Sequence, residues 1–310
     1  MPLRAQLAAL VLAVAGSLAH AADVVGYSEA FDTLYRVDLT TRTAQEIGRA
    51  TPNGVTRYPI IVGLTFSPDG KLYAVADGLV KTLLRINTGN GLATPVGILN
   101  LGSADREDIG LAFTADGNLW LSTVSGDLWQ VNPGNAGVTH VGKLGTKINI
   151  TGLASRGNQL YGAGGQGNNN LYQINTATAQ ASLVGPYGAG ISYVTAASPA
   201  FDASGQFWVL LDYIPVPNDN DPTPPWSDLA AGDLSGKLVN QGNVTAPPNT
   251  VSYDDLLQIG LRGFAIAPPA APAGNAVAQT PALSLGGLAI LLTMLVAGAG
   301  TWLRRNHPIP

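Results

Sequence analysis

At 310 residues, with 38 Gly, 21 Pro and only 12% charged residues, the chain has the length of one large domain and the composition of many short strands joined by tight turns. It contains no Cys, which excludes disulfide staples, thiolate metal sites and a cysteine nucleophile, so a packed core must carry the stability. The formal net charge of −4 disfavours nucleic acid and anionic lipid as partners.

The chain opens as a secretory leader does. Arg4 precedes an apolar run over residues 7–18, and Ala19-His20-Ala21 is the small-x-small pattern that signal peptidase accepts. The run is too short to span a bilayer comfortably. Residues 1–21 are therefore expected to be removed, leaving a mature chain that begins at Ala22.

Residues 24–48 hold three short strand patterns, at 24–27, 34–38 and 45–48. A four-part phrase then begins: Gly-Leu-Thr-Phe-Ser-Pro-Asp-Gly-Lys-Leu-Tyr at 63–73, Leu-Leu-Arg-Ile-Asn at 83–87 and Thr-Pro-Val-Gly at 94–97. It returns at 110–120, 128–132 and 139–142, and again at 152–161, 171–175 and 182–185. Each copy reads as an apolar strand, a Gly- or Asn-containing turn, an aromatic-bearing strand, a third strand ending in Asn, and a fourth ending in Val-Gly. Gly63 and Gly110 are 47 residues apart, Gly110 and Gly152 are 42, and Gly152 and Ser198 are 46, the spacing of a four-stranded propeller blade.

A further copy starts at 199–208 and then turns irregular. Residues 213–225 are rich in Pro, Asn and Asp, and the stretch 232–243 matches the remaining strands poorly, which leaves five or six blades open. Residues 263–266, Gly-Phe-Ala-Ile, supply the first strand that the N-terminal stretch lacks. Pairing the two ends closes the ring and removes two edge strands. The expected fold is all-β, a propeller of about five four-stranded blades over 22–267, with a C-terminal transmembrane helix.

Residues 268–281 are a Pro- and Ala-rich linker without charge. Within 282–305, the run 283–303 is 21 uncharged residues, enough to cross a ~30 Å hydrocarbon core, and Arg304 and Arg305 stop it. Residues 306–310 form a short tail, expected in the cytoplasm. Arg4 at one end and the Arg pair at the other place the body outside under the positive-inside rule. That body carries all 20 acidic residues against 13 of the 16 Lys and Arg, a formal charge of −7.

Pro281, Leu283 and Ser284, then an apolar helix, Arg304-Arg305 and a short tail, resemble a bacterial sorting signal of the PEP-CTERM and IPTL-CTERM kind. Leu285-Gly286 stand where that pattern usually has Glu-Trp, and Gly286-Gly287 also suit the GlyGly-CTERM class. The resemblance, confined to about the last tenth of the chain, implies an inner-membrane precursor, cleavage by a sorting protease of the exosortase type, and delivery to the cell surface or extracellular matrix. A plain single-helix anchor is the alternative. The blade phrase, in turn, resembles that of exported bacterial propellers with WD40-like or NHL-like repeats; it implies fold and says little about function.

Few residues offer chemistry. His20 lies in the leader, His307 in the tail and His140 on an outer strand, which argues against a His-based triad. Ligands of propellers gather where the loops from fourth to first and second to third strands surround the axis. The candidates there are Arg57, Tyr58, Asp105, Arg106, Glu107, Asp108, Asn149, Tyr253, Asp254 and Asp255. If Glu107, Asp108, Asp254 and Asp255 converge, their oxygens suit Ca²⁺; Asn218-Asp219-Asn220-Asp221 alternates oxygen ligands but lacks the Gly and terminal Glu of an EF-hand. No other cofactor is expected. Two functions follow: a non-enzymatic binding or structural scaffold with an unidentified surface ligand, or an exported metal-assisted hydrolase or lactonase working at the channel mouth.

Overall fold

The computed structural model describes residues 25–30, 32–52, 58, 60–78, 80–102, 108–146, 148–213, 226–245 and 261–268. Twenty strands in these residues form five antiparallel four-stranded sheets. From the axis outward, blade 1 is β20 (Arg262–Ile266), β1 (Val25–Ala30), β2 (Thr33–Asp38) and β3 (Thr43–Arg49). Blade 2 is β4 (Ile61–Phe66), β5 (Leu72–Ala76), β6 (Thr82–Ile86) and β7 (Ala93–Ile98). Blade 3 is β8 (Ile109–Phe113), β9 (Leu119–Thr123), β10 (Asp127–Val131) and β11 (Val138–Lys143). Blade 4 is β12 (Ile150–Arg156), β13 (Gln159–Gly164), β14 (Asn170–Ile174) and β15 (Ala181–Pro186). Blade 5 is β16 (Ala196–Phe201), β17 (Phe207–Tyr213), β18 (Trp226–Gly232) and β19 (Leu238–Asn243).

The inner strands contact one another in the cycle β20, β4, β8, β12, β16 and back to β20, so the molecule is a closed five-bladed propeller. The closure expected from the two ends is the one formed: Gly26 pairs with Ile266 and Ser28 with Phe264. The irregular stretch resolves into the outer half of blade 5 rather than a sixth blade. Its third strand, Trp226–Gly232, lies before the 232–243 segment where the pattern pointed, because residues 214–225 intervene between β17 and β18 and shift the repeat.

Sequence alternation explains the packing. Inner and second strands are covered on both faces, so β5, β8 and β9 are buried at every residue, whereas third and outer strands alternate or are exposed. The buried side chains fall into five clusters, one per blade interface. Leu83, Leu119, Leu121 and Val75 fill the one between blades 2 and 3, and Phe207, Val209, Tyr187 and Leu171 the one between blades 4 and 5. Each fully buried side chain of this size contributes about 1.5–3 kcal/mol, so five repeated interfaces carry the fold.

The Asn that ends the third strand caps its own turn. Asn87 Oδ1 accepts from Gly89 N–H at 2.8 Å, Asn132 from Gly134 at 2.8 Å and Asn175 from Ala177 at 2.9 Å, and Asp38 and Asp233 do the same for Thr40 and Ser235. The Val-Gly that ends the fourth strand is a bulge. Leu83 pairs with Gly97 and Leu84 with Pro95, which leaves Val96 unpaired, and it packs on the next interface. The same shift recurs in all five blades. The glycine beside it is required because the next blade's turn crosses closely: a Cβ on Gly97 would lie 2.6 Å from the Asn135 carbonyl oxygen. Backbone bonds seal several of these joints, among them Ala93 N–H to Thr51 O (3.0 Å), Leu238 N–H to Tyr187 O (2.9 Å) and, at the closure, Ala44 N–H to Thr245 O (2.7 Å).

On the axis, the phrase's opening glycines meet. Gly63, Gly110, Gly152 and Gly263, with Ser198, occupy matching places on the five inner strands and surround a cavity of ≈ 10 Å³, about the room one water needs. A Cβ on Gly63 would lie 2.6 Å from the Ile109 carbonyl oxygen, so any larger residue would push the inner strands apart. At this level the axis is narrowed to about the room of one water.

Candidate functional site

One end of each sheet carries the hairpins joining strands one to two and three to four. The other carries the connections from strand two to three and from blade to blade, and there all five blades bring a polar side chain towards the axis. Blade 1 contributes Glu29 and Arg262, which face each other because the pairing of β1 with β20 shifts register between Ser28 and Glu29, at the bulge formed by Gly263 (φ 59°). Blade 2 contributes Asp77, just past β5, and Lys81. Asp108 precedes β8 of blade 3, Gln166 follows β13 of blade 4, and Asp212 sits near the end of β17 in blade 5.

Arg262 is the hub. Its Nη1 donates to Asp108 Oδ1 at 3.3 Å and its Nε to Asp212 Oδ2 at 3.3 Å. Glu29 belongs to the same electrostatic group, yet neither of its carboxylate oxygens has a hydrogen-bond partner, and Asp212 Oδ1 has none either. Glu29 and Asp212 are each 1% exposed. Beside them Lys81 Nζ donates to Asp77 Oδ1 at 2.9 Å in a pair that is itself buried, and Gln166 hydrogen-bonds to Asp108.

Three buried carboxylates share one guanidinium, and their protonation reflects it. Burial raises the Glu29 carboxyl well above the usual range; Arg262 opposes the rise, while Asp212 and Asp108 add to it. Burial likewise pushes Asp212 up to about 7, against the pull of Arg262, and raises Asp108. Asp212 thus exchanges its proton near neutrality, as groups at binding or acid–base sites do.

Of the residues expected at this mouth, Asp108 is brought against Arg262. Tyr58 packs half-buried on the interface between blades 1 and 2, where burial raises its hydroxyl pKa, and Asn149 offers its backbone carbonyl to Gly165 N–H at 3.0 Å. Arg57, Asp105, Arg106, Glu107, Tyr253, Asp254 and Asp255 lie outside the described residues, as do Asn218-Asp219-Asn220-Asp221, the leader and everything from 269 onward, Pro281, Leu283, Ser284, Arg304 and Arg305 included. No described helix is long and apolar enough to cross a membrane. Among the described residues, no group of three His, Cys, Asp or Glu side chains is placed to hold a metal ion. His140 lies on the outer strand β11, 44% exposed at its side chain and 2.8 Å from Asp127.

Glu29, Asp212 and Arg262 escaped the sequence reading because they lie within strands rather than loops. One signal was available: a charged residue interrupts each of the apolar patterns Val-Leu-Leu-Asp at 209–212 and Leu-Arg-Gly-Phe at 261–264, and a charge inside a buried strand needs a reason.

No family model matches the chain, and no curated protein does. Solved structures similar to it include the nidogen/laminin complex, at 14% identity over 79% of this chain and 98% of that one, with a TM-score of 0.49. TolB from Acinetobacter baumannii is 12% identical over 79% of this chain and 66% of its own, with a TM-score of 0.45. Virginiamycin B lyase from Staphylococcus aureus is 12% identical over 72% and 79%, with a TM-score of 0.40. Likenesses of this size carry no argument about what the chain binds or does, and the assignment to the five-bladed propellers rests on its own strand order and ring closure.

Proposed function

We propose that this chain is an exported binding scaffold: its leader directs it out of the cytoplasm, its C-terminal segment anchors it or is exchanged for attachment at the cell surface or matrix, and its propeller holds a ligand at the loop-bearing end of the axis. The observation that carries the binding part is the convergence of polar side chains from all five blades at that end, beyond a ring of glycines that narrows the axis to about the room of one water. Such a group desolvates charge without serving the core, which a structural propeller has no need to do. Export and sorting are supported by the leader pattern and the tripartite tail.

Fractionation of cells making the tagged chain, with mass spectrometry of both ends, tests the reading. Protein that starts at Ala22 and is open to protease added to whole cells is the expected result. Uncleaved chain confined to the cytoplasm would sink it.

Hydrolysis at the same mouth is the second reading, favoured by a carboxyl that titrates near neutrality. It requires activity towards a lactone or ester, with or without added divalent cation, that falls at least tenfold in Asp212→Asn. Unchanged turnover in that variant and in Glu107→Ala with Asp255→Ala would remove it.

A further inference from the structure

We infer that the axial mouth seats a primary ammonium group, of a small amine or of a lysine side chain, against Glu29 and Asp212. The inference rests on reading the loop-bearing end as the binding end. Its basis is an imbalance of charge and of hydrogen-bonding capacity in one buried place. Among the described residues, Glu29, Asp108 and Asp212 have only Arg262 between them, since Lys81 is held by Asp77 at 2.9 Å. With all three ionised, the described residues leave two negative charges uncompensated where water is largely excluded. Three oxygen atoms there, Glu29 Oε1 and Oε2 and Asp212 Oδ1, have no donor.

Buried acceptors of this kind are rare because leaving them bare is costly. An alkylammonium carries one positive charge and three N–H donors, which matches the deficit in both respects. An anionic ligand would meet repulsion from the carboxylates. A divalent ion is disfavoured because no trio of carboxylates among the described residues is placed to coordinate it and because the Arg262 guanidinium stands between them. Entry is from the loop-bearing end, since the glycine ring leaves room for about one water and not for an alkylammonium, and Arg262, 30% exposed at its side chain, is the member of the group that faces solvent.

Protons compete for the same oxygens. Glu29, Asp108 and Asp212 all hold protons more tightly than ordinary carboxyls, with Arg262 opposing this and Asp77 reinforcing it at Asp108. Amine affinity must therefore rise as pH climbs through the range in which these groups ionise.

The test uses the full chain in detergent solution, titrated calorimetrically with n-butylamine and with Nα-acetyl-lysine amide, and with n-butanol as the uncharged control. Binding of an amine at pH 8 that weakens at least tenfold at pH 5, and at least tenfold in Glu29→Gln or Asp212→Asn at pH 8, is the expected result. Butylamine alone binding points to a free amine; binding of both points to a lysine side chain. Carboxyl ¹³C shifts of Glu29 and Asp212 on adding butylamine to the unmutated chain supply a readout that survives if either variant fails to fold. Equal binding of butanol, absence of both binding and shifts, or binding indifferent to pH and to both variants would overturn the inference. Fractionation of the same cells separates the two levels. Surface-exposed chain without amine binding removes only this inference, whereas uncleaved cytoplasmic chain removes the reading beneath it.

Discussion

The two ends of the propeller use the same residue type in opposite ways. At the hairpin end, Asp38, Asp116 and Asp233 accept hydrogen bonds led by the Thr41 N–H, the Thr114 hydroxyl and the Ser235 hydroxyl, which hold their carboxyls below the usual range. At the loop-bearing end, Glu29, Asp108 and Asp212 are buried with too few donors and are pushed above it. A carboxylate near solvent, satisfied by its own turn, is a structural device. One buried between blades and left short of partners stores an electrostatic cost that a ligand or a proton relieves.

The largest expected effect breaks this contrast at its hub. Removing the cation that pairs with Asp108 and Asp212 in Arg262→Ala should destabilise the protein by about 2–4 kcal/mol at pH 8, because buried carboxylates lose their partner. The loss should shrink below pH 5 as those carboxyls take up protons, and urea melts at the two pH values read the difference.

The pH profile itself sharpens the contrast. Carboxyls raised in the folded state bind more protons there than in the unfolded chain, so their contribution is complete below about pH 4 and is lost as pH rises through the folded values, about 7 for Asp212. At 1.36 kcal/mol per unit, Asp212 alone accounts for roughly 4 kcal/mol across that window. The depressed turn carboxyls act in the other direction: their stabilisation is present above about pH 4 and is lost as pH falls further. Stability should peak in mild acid, and Asp212→Asn should flatten the limb between pH 4 and 8 while leaving the acid limb intact. A wild-type melting temperature that climbs steadily from pH 4 to 8 would contradict this.

The smallest effect belongs to the hairpin end. Asn132→Ala removes one side-chain cap from one of five equivalent turns and should cost about 1 kcal/mol, independent of pH from 5 to 8. Thermal melts across that range check both the size and the flatness.

Much of the architecture was legible along the chain because propeller blades are built from local contacts. Ser-Pro-Asp-Gly at 67–70, the Asn at 87, 132 and 175, and Val-Gly at 96–97 each satisfy neighbours within a few residues or at the adjoining blade, so they recur in step and can be counted. Blade 5 was obscured because residues 214–225 separate β17 from β18, and the repeat spacing that identifies the other blades fails across them. Of the four residues that share the buried charge balance, only Asp108 stood outside the strands, in a loop where polar residues invite attention.

By itself, then, the sequence determined the repeat, the turns and the joining of 263–266 to the N-terminal strands, since these follow from hydrophobic alternation and turn chemistry over short distances. Only the tertiary structure decided that the opening glycines narrow the axis to about the room of one water and that Glu29, Asp108, Asp212 and Arg262, up to 233 residues apart along the chain, share one buried charge balance. The physical reason is range: a turn is satisfied by its neighbours, whereas the burial and pairing of a charge depend on which blades the closed ring brings around it.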